Sequence, residues 1–257
     1  MSGSGALPPR LRVELERLGD AAVLYSGGRD SEVLLRAAVA ALGTGHVTAL
    51  TADSPLLAGY YRRLTKSVAA SLGVAHRLVP WDPLSIDEIV SNGPLRCYHC
   101  KKGLYSALRD AAEREGAGTV ADGTNTDDLG EDRPGLRAAE ELDVARPFLK
   151  ASMSSADVQR LGRTLGMAGR FRPSDSCLAT RIPPGSRLSQ RELTLVEELE
   201  APLRPLVKER FRAYVEGTRV MVHYRRGDAT AVNRLKETLK DRARKEGIGR
   251  VIFVMED

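Results

Sequence analysis

A short glycine-containing loop places the strongest constraint on how this chain folds. The sequence Ser-Gly-Gly-Arg-Asp-Ser at 26–31 follows an apolar run at 21–25 and precedes an apolar-periodic stretch at 33–38. This order predicts a strand, a tight loop and a helix. Glycines let backbone amides approach a ligand, and the helix N-terminus behind them favours an anion. We therefore predict a nucleotide site, with an ordinary glycine-rich turn capped by serine as the alternative.

The side chains of the loop refine this prediction. Ser26 and Ser31 add hydroxyl donors beside Gly27 and Gly28. The carboxylate of Asp30 would repel a bare phosphate, which indicates a metal counter-charge or a contact elsewhere on a nucleotide. No Gly-Lys-Ser/Thr follows the glycines, so the loop is not a Walker loop.

Strands and helices alternate along the first part of the chain, which predicts an α/β fold with a parallel sheet and right-handed crossovers. The predicted helices lie at 7–18, 29–42, 57–72, 100–115 and 153–165, and the strands at 21–25, 46–51, 75–79 and 119–121. The remainder predicts a small α+β unit with helices at 188–206 and 229–246 and strands at 211–215, 219–224 and 251–255. We therefore divide the chain into domains 1–170 and 171–257, the second including a connecting segment.

Two further stretches follow predicted strands and should meet the glycine loop at one edge of the sheet. Asp53 follows the C-terminal end of the second predicted strand, where it is either a ligand or a helix cap. The stretch 122–128 is dense in carboxylate and amide oxygens, which suit Mg²⁺ beside pyrophosphate. Its candidate ligand-binding residues are Gly123, Thr124, Asn125 and Asp127. A hydrated turn is the alternative for this loop, and for Asp128 in particular.

Composition indicates where the protein is located more clearly than which reaction it catalyses. The 257 residues carry 39 Lys and Arg against 34 Asp and Glu, a net charge of +5 that fits phosphorylated small molecules or RNA. No apolar run approaches the roughly 18 residues that span a bilayer. The N-terminal sequence lacks the basic start and apolar core of a signal peptide. We expect a cytoplasmic protein without membrane contact.

The three cysteines require an explanation other than disulfides, which a reducing compartment disfavours. Cys97 and Cys100 form a C-x-x-C pair, and Cys177 lies far downstream. Structural zinc normally takes four ligands, and His99 is poorly placed between the pair to supply the fourth. Three thiolates suit a 4Fe–4S cluster with one open iron. A redox pair, or two buried cysteines and one reactive one, are the alternatives.

Several motifs together resemble a known family. The loop at 26–31 resembles that of the PP-loop ATP pyrophosphatases, which split ATP between the α- and β-phosphates. The later blocks resemble the LarE family of ATP-dependent sulfur transferases in nickel-pincer nucleotide synthesis. These blocks are TADSP at 51–55, RCYHCK at 96–101, DGTNTDDLG at 122–130, RPGLR at 133–137 and CLATRIP at 177–183. The resemblance covers residues 20–203 and implies the adenine-nucleotide α-hydrolase-like parallel sheet flanked by helices.

This resemblance implies a substrate and a sulfur source. The family adenylates a carboxylate of pyridinium-3,5-biscarboxylate mononucleotide with ATP and Mg²⁺, then replaces the adenylate by sulfur. Some members sacrifice the cysteine matched by Cys177. Others hold a 4Fe–4S cluster on the positions matched by Cys97, Cys100 and Cys177. Because this chain has all three cysteines, we expect the cluster branch, with a sulfide donor to reload it.

The resemblance also assigns roles to charged residues. Lys101 and Arg181 match positions near the phosphates and would stabilise negative charge; a surface salt bridge is the alternative for either. Glu200 matches an important carboxylate, or else belongs to a solvated helix face. Arg219 matches an arginine that grips the substrate phosphate, but the second arginine of that family pattern is Met221 here.

The acceptor and the assembly are the least constrained features. Arg225 and Arg226 are candidates to replace the missing arginine, and a different heterocyclic acid is an alternative acceptor. The resemblance implies a hexameric homo-oligomer. A tRNA thiolation enzyme of the same superfamily is an alternative, but no zinc ribbon or strongly basic appendage supports nucleic-acid binding. A non-catalytic nucleotide- or cluster-binding module would bind without releasing pyrophosphate.

Overall fold

The computed structural model describes residues 7–130, 134–167 and 175–257. The chain divides into two compact units. The first comprises residues 1–53, 61–81 and 97–171, and the second comprises 54–60, 82–96 and 172–257. The predicted boundary between residues 170 and 171 lies outside the described residues. The sequence analysis divided the chain at one point only, so it did not assign segments 54–60 and 82–96 to the second unit.

The first unit is an α/β layer built on a four-stranded parallel sheet. The sheet has the order β3-β2-β1-β4, and every neighbouring pair is parallel. Its strands are β1 (Ala21–Leu24), β2 (Val47–Asp53), β3 (Ala75–Pro80) and β4 (Thr119–Ala121). Its helices are α1 (Pro9–Glu16), α2 (Arg29–Leu42), α3 (Gly59–Leu72), α5 (Arg96–Arg114), α6 (Pro134–Glu141), α7 (Pro147–Lys150) and α8 (Ser155–Gly162); α3 and α5 begin in segments of the second unit. The predicted α/β fold is confirmed.

Strand β1 lies between β2 and β4, and all four of its residues are buried. Its side chains alternate between two cores, as side chains of a strand do. Val23 packs with helices α1, α2 and α8, whereas Ala22 and Leu24 pack with α5 and α6. Both faces of the sheet are therefore covered at β1, which explains why this strand is a continuous apolar run.

The second unit is a small α+β structure, as predicted. It contains α4 (Asp87–Val90), α9 (Gln190–Glu200), β5 (Phe211–Glu216), β6 (Arg219–Arg225), α10 (Ala229–Lys245) and β7 (Arg250–Glu256). The sheet order is β5-β6-β7, with β5 antiparallel and β7 parallel to β6. Val220 and Val222 of β6 are fully buried, as are Val232 and Leu239 of α10.

Two predicted helices are shorter in the structure. The helix predicted at 153–165 is α8, which begins at a capping box of Ser154 and Asp157 and loses helical geometry at Leu165 and Gly166. The helix predicted at 188–206 is α9, which begins at the Ser189 cap and ends at Glu200. Pro202 follows two residues later, and it has no amide hydrogen with which to continue the helix. None of the described helices is both long enough and apolar enough to cross a membrane.

Candidate functional site

The glycine loop between β1 and α2 is closed by its own hydroxyl groups. Ser31 Oγ donates to the Gly28 carbonyl oxygen at 3.0 Å and lies 3.2 Å from Ser26 Oγ. Ser26 Oγ also accepts from the Gly28 amide at 3.3 Å. Gly27 has φ +81°, and a Cβ there would lie 3.0 Å from Tyr61 Cδ1. Both the backbone conformation and the packing therefore require glycine at 27.

Asp30 has protein partners for its carboxylate. Arg29 Nε donates to Asp30 Oδ1 at 2.7 Å, and Asn125 Nδ2 lies 3.4 Å from Asp30 Oδ2. The same arginine donates to Ser155 Oγ at 2.8 Å. Arg29 thus balances the charge of Asp30, and a metal or nucleotide partner for Asp30 remains a prediction.

The loop after β4 packs directly on the glycine loop. A Cβ on Gly123 would lie 3.0 Å from the carbonyl carbon of Asp30 and 3.1 Å from the amide nitrogen of Ser31. These are backbone atoms that cannot swing aside. The backbone of residue 123 can therefore approach the N-terminus of α2 this closely only as glycine.

A buried hydrogen bond fixes the start of this second loop. Tyr105 of α5 donates its hydroxyl to Asp122 Oδ2 at 2.7 Å, and Asp122 Oδ1 accepts from the Thr124 amide at 3.0 Å. Burial, together with the charge and hydrogen bond of Asp122, raises the pKa of Tyr105 far above its usual value. The phenol is therefore a permanent donor to Asp122. Sequence reasoning missed Tyr105, which carries no motif.

The rest of the loop is a short turn held by side-chain hydrogen bonds. Asp128 Oδ2 accepts from the Asn125 amide at 3.0 Å, and Asn125 Oδ1 accepts from the Asp127 amide at 3.0 Å. The contact of Asp128 is therefore that of a turn residue, which was the alternative interpretation for this position. Asp127 Oδ2 accepts from the Ser155 amide at 3.2 Å. Asp53, at the end of β2, forms an ion pair with Arg62 of α3. Magnesium binding by these carboxylates remains a prediction.

The C-x-x-C pair lies on the first turn of α5, which begins four residues earlier than predicted. Cys97 is exposed and Cys100 is half-buried. Residues three apart share a helix face, so the two thiols are suitable neighbours for one ligand. Among the residues that the structure describes, no group of three or more His, Cys, Asp or Glu is arranged as a metal site.

Lys101 follows the pair and packs against α6. A Cβ on Gly135 would lie 2.5 Å from Lys101 Cδ, so glycine leaves the space that the lysine stem occupies. The ammonium lies 5.7 Å from the centre of the Tyr105 ring. Lys101 is therefore half-buried. Among the residues that the structure describes, its ammonium forms no surface salt bridge.

In the second unit, the loop that carries Cys177 is held from inside by Arg181. Cys177 is exposed, whereas Arg181 is 0% exposed. Arg181 Nη1 donates to the Ser176 carbonyl oxygen at 3.0 Å, to Ser176 Oγ at 2.9 Å and to Thr180 Oγ1 at 2.9 Å. One buried guanidinium thus binds residues on both sides of an accessible thiol.

Arg181 belongs to a four-residue buried charge cluster. Its partners are Glu200 (Nε to Oε1, 2.8 Å) and Asp175 (Nη2 to Oδ1, 2.6 Å). Arg204 closes the cluster by donating to Asp175 Oδ2 and Glu200 Oε2, both at 2.6 Å. Desolvation opposes the charge of Arg181, but Glu200 and Asp175 outweigh it and raise the pKa of Arg181 above its usual value. Two cations and two anions therefore balance.

The buried cluster rules out the alternative interpretations of Arg181 and Glu200, and it includes two residues that the sequence analysis did not identify. Arg181 is not in a surface salt bridge, and Glu200 is not on a solvated face, because both are fully buried. Glu200 Oε1 also accepts from the Ala213 amide of β5 at 3.0 Å. Sequence reasoning missed Asp175 and Arg204; the spacing of four between Glu200 and Arg204 was the available signal. Arg219, at the start of β6, is exposed and pairs with Glu216.

Comparisons with known proteins agree with the motif analysis. No protein-family profile matches the chain. An uncharacterized protein of Synechocystis, slr1717, is 34% identical over 196 residues, covering 76% of this chain and 73% of that protein. The uncharacterized MJ0830 of Methanocaldococcus jannaschii is 40% identical over 129 residues, half of each chain.

A third relative has a named activity. The pyridinium-3,5-bisthiocarboxylic acid mononucleotide synthase of Lactiplantibacillus plantarum is 33% identical over 201 residues, covering 77% of this chain and 73% of that enzyme. The chain belongs to the LarE family. The LarE resemblance found in the motifs is thereby confirmed at the level of the family.

Some of the candidate residues of this LarE-family chain form one group in each unit, whereas Asp53 and Arg219 contact other residues. The first unit brings together the glycine loop, Gly123 and Asn125, with Tyr105 as their support. The second unit joins Arg181 and Glu200 beneath the Cys177 loop. The catalytic and binding roles of all these residues remain predictions.

Proposed function

We propose that the chain is an ATP-dependent sulfur transferase that converts a carboxylate of pyridinium-3,5-biscarboxylate mononucleotide into a thiocarboxylate. Family membership and the activity for which the Lactiplantibacillus plantarum relative is named support this assignment. The observation that carries it is the Cys177 loop, because an accessible thiol on a backbone held by a buried arginine suits sulfur transfer.

Activation comes first, because a carboxylate oxygen is a poor leaving group. In this proposal the substrate carboxylate attacks the α-phosphorus of ATP, and pyrophosphate leaves. The amides and hydroxyls at Gly27, Gly28, Ser26 and Ser31 bind phosphate oxygens at the N-terminus of α2. Mg²⁺, with Asp127 and Asn125 as its candidate ligands, would spread the charge of the departing pyrophosphate.

Sulfur then replaces AMP at the acyl carbon. With a 4Fe–4S cluster held by Cys97, Cys100 and Cys177, the cluster would supply a transferable sulfide and permit repeated turnover. Without a cluster, the Cys177 thiolate attacks the acyl carbon and AMP leaves. Loss of the Cys177 α-proton then breaks the Cβ–S bond, which releases the thiocarboxylate and leaves dehydroalanine. Lys101 would stabilise phosphate charge in either route.

The two routes differ in stoichiometry and in the final mass of the protein. We would purify the chain anaerobically, measure iron and sulfide, and then follow pyrophosphate and thiocarboxylate with ATP and the biscarboxylate mononucleotide. About four irons per chain, lost in Cys97→Ala, together with several products per chain support the cluster route. No iron, one product per chain and a protein lighter by one H₂S support the sacrificial route.

A matched pair of variants tests the proposed activity itself. Cys177→Ser should abolish thiocarboxylate formation but retain pyrophosphate release, because it removes a sulfur ligand or donor and leaves the glycine loop intact. Ser31→Ala should reduce pyrophosphate release. Failure of the wild-type chain to release pyrophosphate with any pyridinium carboxylate, with and without reconstituted iron, contradicts the proposal.

A further inference from the structure

Strand β7 is an apolar edge of the second unit's sheet. It pairs with β6 on one side, and the sheet order ends there. Its sequence is Arg-Val-Ile-Phe-Val-Met-Glu, in which five of seven residues are apolar. None of the seven is fully buried, and Met255 is 44% exposed. By contrast, β6 beside it buries every second residue.

The outer edge of β7 offers unused backbone groups. Within the described ranges, the backbone hydrogen bonds of Val251 to Glu256 are those of the β6–β7 ladder. A seven-residue apolar edge with open amides is a template for pairing with another strand. Natural edges of this kind are usually interrupted by proline, a bulge or an inward charge, and β7 has none of these at its centre. Its charges lie at the two ends, at Arg250 and Glu256.

The sequence of β7 is complementary to itself when read in the opposite direction. An antiparallel pair centred on Phe253 places Arg250 opposite Glu256 of the partner, and Glu256 opposite the partner's Arg250. It also places Ile252 opposite Val254 and Val251 opposite Met255. Residues opposite each other in such a pair share a face of the sheet. Each of these pairs joins two even-numbered or two odd-numbered residues, which lie on the same face of β7. Charges and apolar groups therefore match at every position.

We infer that β7 pairs antiparallel with β7 of a second copy of this chain, about a two-fold axis at Phe253. The result is a continuous six-stranded sheet, built from the three strands of each copy. A two-fold interface uses the same surface on both subunits, which a self-complementary strand satisfies. The main-chain hydrogen bonds supply affinity, and the two Arg250–Glu256 contacts fix the register.

The local contacts of Glu256 are compatible with this pairing. Its carboxylate lies 2.8 Å from His223 Nδ1 and 3.9 Å from Arg225 Nε. A carboxylate has about four lone-pair positions, so it can accept a further arginine from the partner. An acidic or basic peptide would match only one end of β7, whereas a second copy matches both.

Charge reversal tests the pairing and its register. Arg250→Glu places like charges opposite each other at both ends and should raise the dissociation constant at least about tenfold. Light scattering should then report half the subunit number of the wild type. The double variant Arg250→Glu/Glu256→Arg restores opposite charges and should restore assembly. Arg234→Glu, an exposed position on α10 with the same charge change, is the control and should not alter the mass.

Cysteine cross-linking tests the same register independently. Opposite Cα atoms in an antiparallel pair are about 4.5–5.5 Å apart, within disulfide range. Phe253→Cys should therefore join two copies of the tryptic peptide 251–257 under mild oxidation. Val251→Cys alone faces Met255 of the partner and should not, whereas Val251→Cys/Met255→Cys should. A monomeric wild type, equal cross-linking by all three variants, or failure of the double charge swap to restore assembly would overturn the inference.

Discussion

Arg181 and Glu200 form a two-pronged ion pair in which neither side chain is exposed. The distances are 2.8 Å from Nε to Oε1 and 3.1 Å from Nη2 to Oε2. Desolvation offsets the attraction in such pairs, so we expect this one to specify geometry more than it adds net stability. Here the geometry specified is that of the loop around Cys177, since the same guanidinium binds its backbone.

Removing one member of this pair should destabilise the second unit strongly. Arg181→Met leaves Glu200 buried beside one remaining cation, and we expect a loss of about 3–5 kcal/mol. Hydrogen exchange of peptides within 190–216 measures the free energy of opening in this unit. Arg181→Met/Glu200→Met keeps the charges balanced through Arg204 and Asp175, so its cost should be less than the sum of the single variants.

A surface ion pair provides the control for this prediction. Arg244 pairs with Asp241 along the exposed side of α10. Arg244→Ala should change the opening free energy by less than about 0.5–1 kcal/mol. If Arg181→Met cost no more than Arg244→Ala, the buried cluster would not hold the Cys177 loop.

The sequence predicted the helices and strands that depend on a local residue pattern. It did not predict contacts between residues that only the folded structure brings together. The strand–loop–helix at 21–42 was predictable because periodicity and glycine chemistry act within a few residues. The short helices α4 and α7 have four residues each, too few for a period to show. Tyr105 and Asp175 could not be found, because their importance lies in partners 17 and 6 residues away.

The close approach at Gly123 predicts a selective effect on nucleotide chemistry. Gly123→Ala introduces a Cβ 3.0 Å from the carbonyl carbon of Asp30, so the second loop must move away from the N-terminus of α2. We expect ATP-dependent pyrophosphate release to fall at least tenfold, which is about 1.4 kcal/mol. Gly118→Ala, with nothing within 4 Å of its added Cβ, is the matched control. Equal activity of the two variants would contradict a nucleotide role for this contact.

The accessibility of the three thiols predicts an order of chemical modification. Cys97 and Cys177 are exposed and Cys100 is half-buried, so iodoacetamide should label the first two before the third. Peptide mass spectrometry of the metal-free chain measures each rate. After anaerobic reconstitution with iron and sulfide, the proposed cluster should protect all three cysteines together. Protection of Cys97 and Cys100 without Cys177 would argue against a shared cluster.

The buried Tyr105–Asp122 hydrogen bond predicts a loss of stability in alkali. Burial and the Asp122 carboxylate raise the pKa of Tyr105 in the folded chain, whereas the unfolded phenol titrates near 10. Above that pH the unfolded state binds fewer protons than the folded state, so the free energy of unfolding falls as pH rises. This single group contributes a slope of up to about 1.4 kcal/mol per pH unit. Below pH 10 its contribution is fully present.

Phenol absorbance and denaturant unfolding together measure this effect. The chain has 7 tyrosines. In the native state Tyr105→Phe should leave the ionisation amplitude near pH 10 unchanged, because Tyr105 does not titrate there. In denaturant the variant should lose one phenol's amplitude relative to the wild type. Tyr105→Phe should also unfold with a shallower alkaline slope, and it should cost about 1–3 kcal/mol at neutral pH because Asp122 loses its buried donor. An equal alkaline slope in the two proteins would show that Tyr105 titrates normally and that Asp122 does not hold its proton.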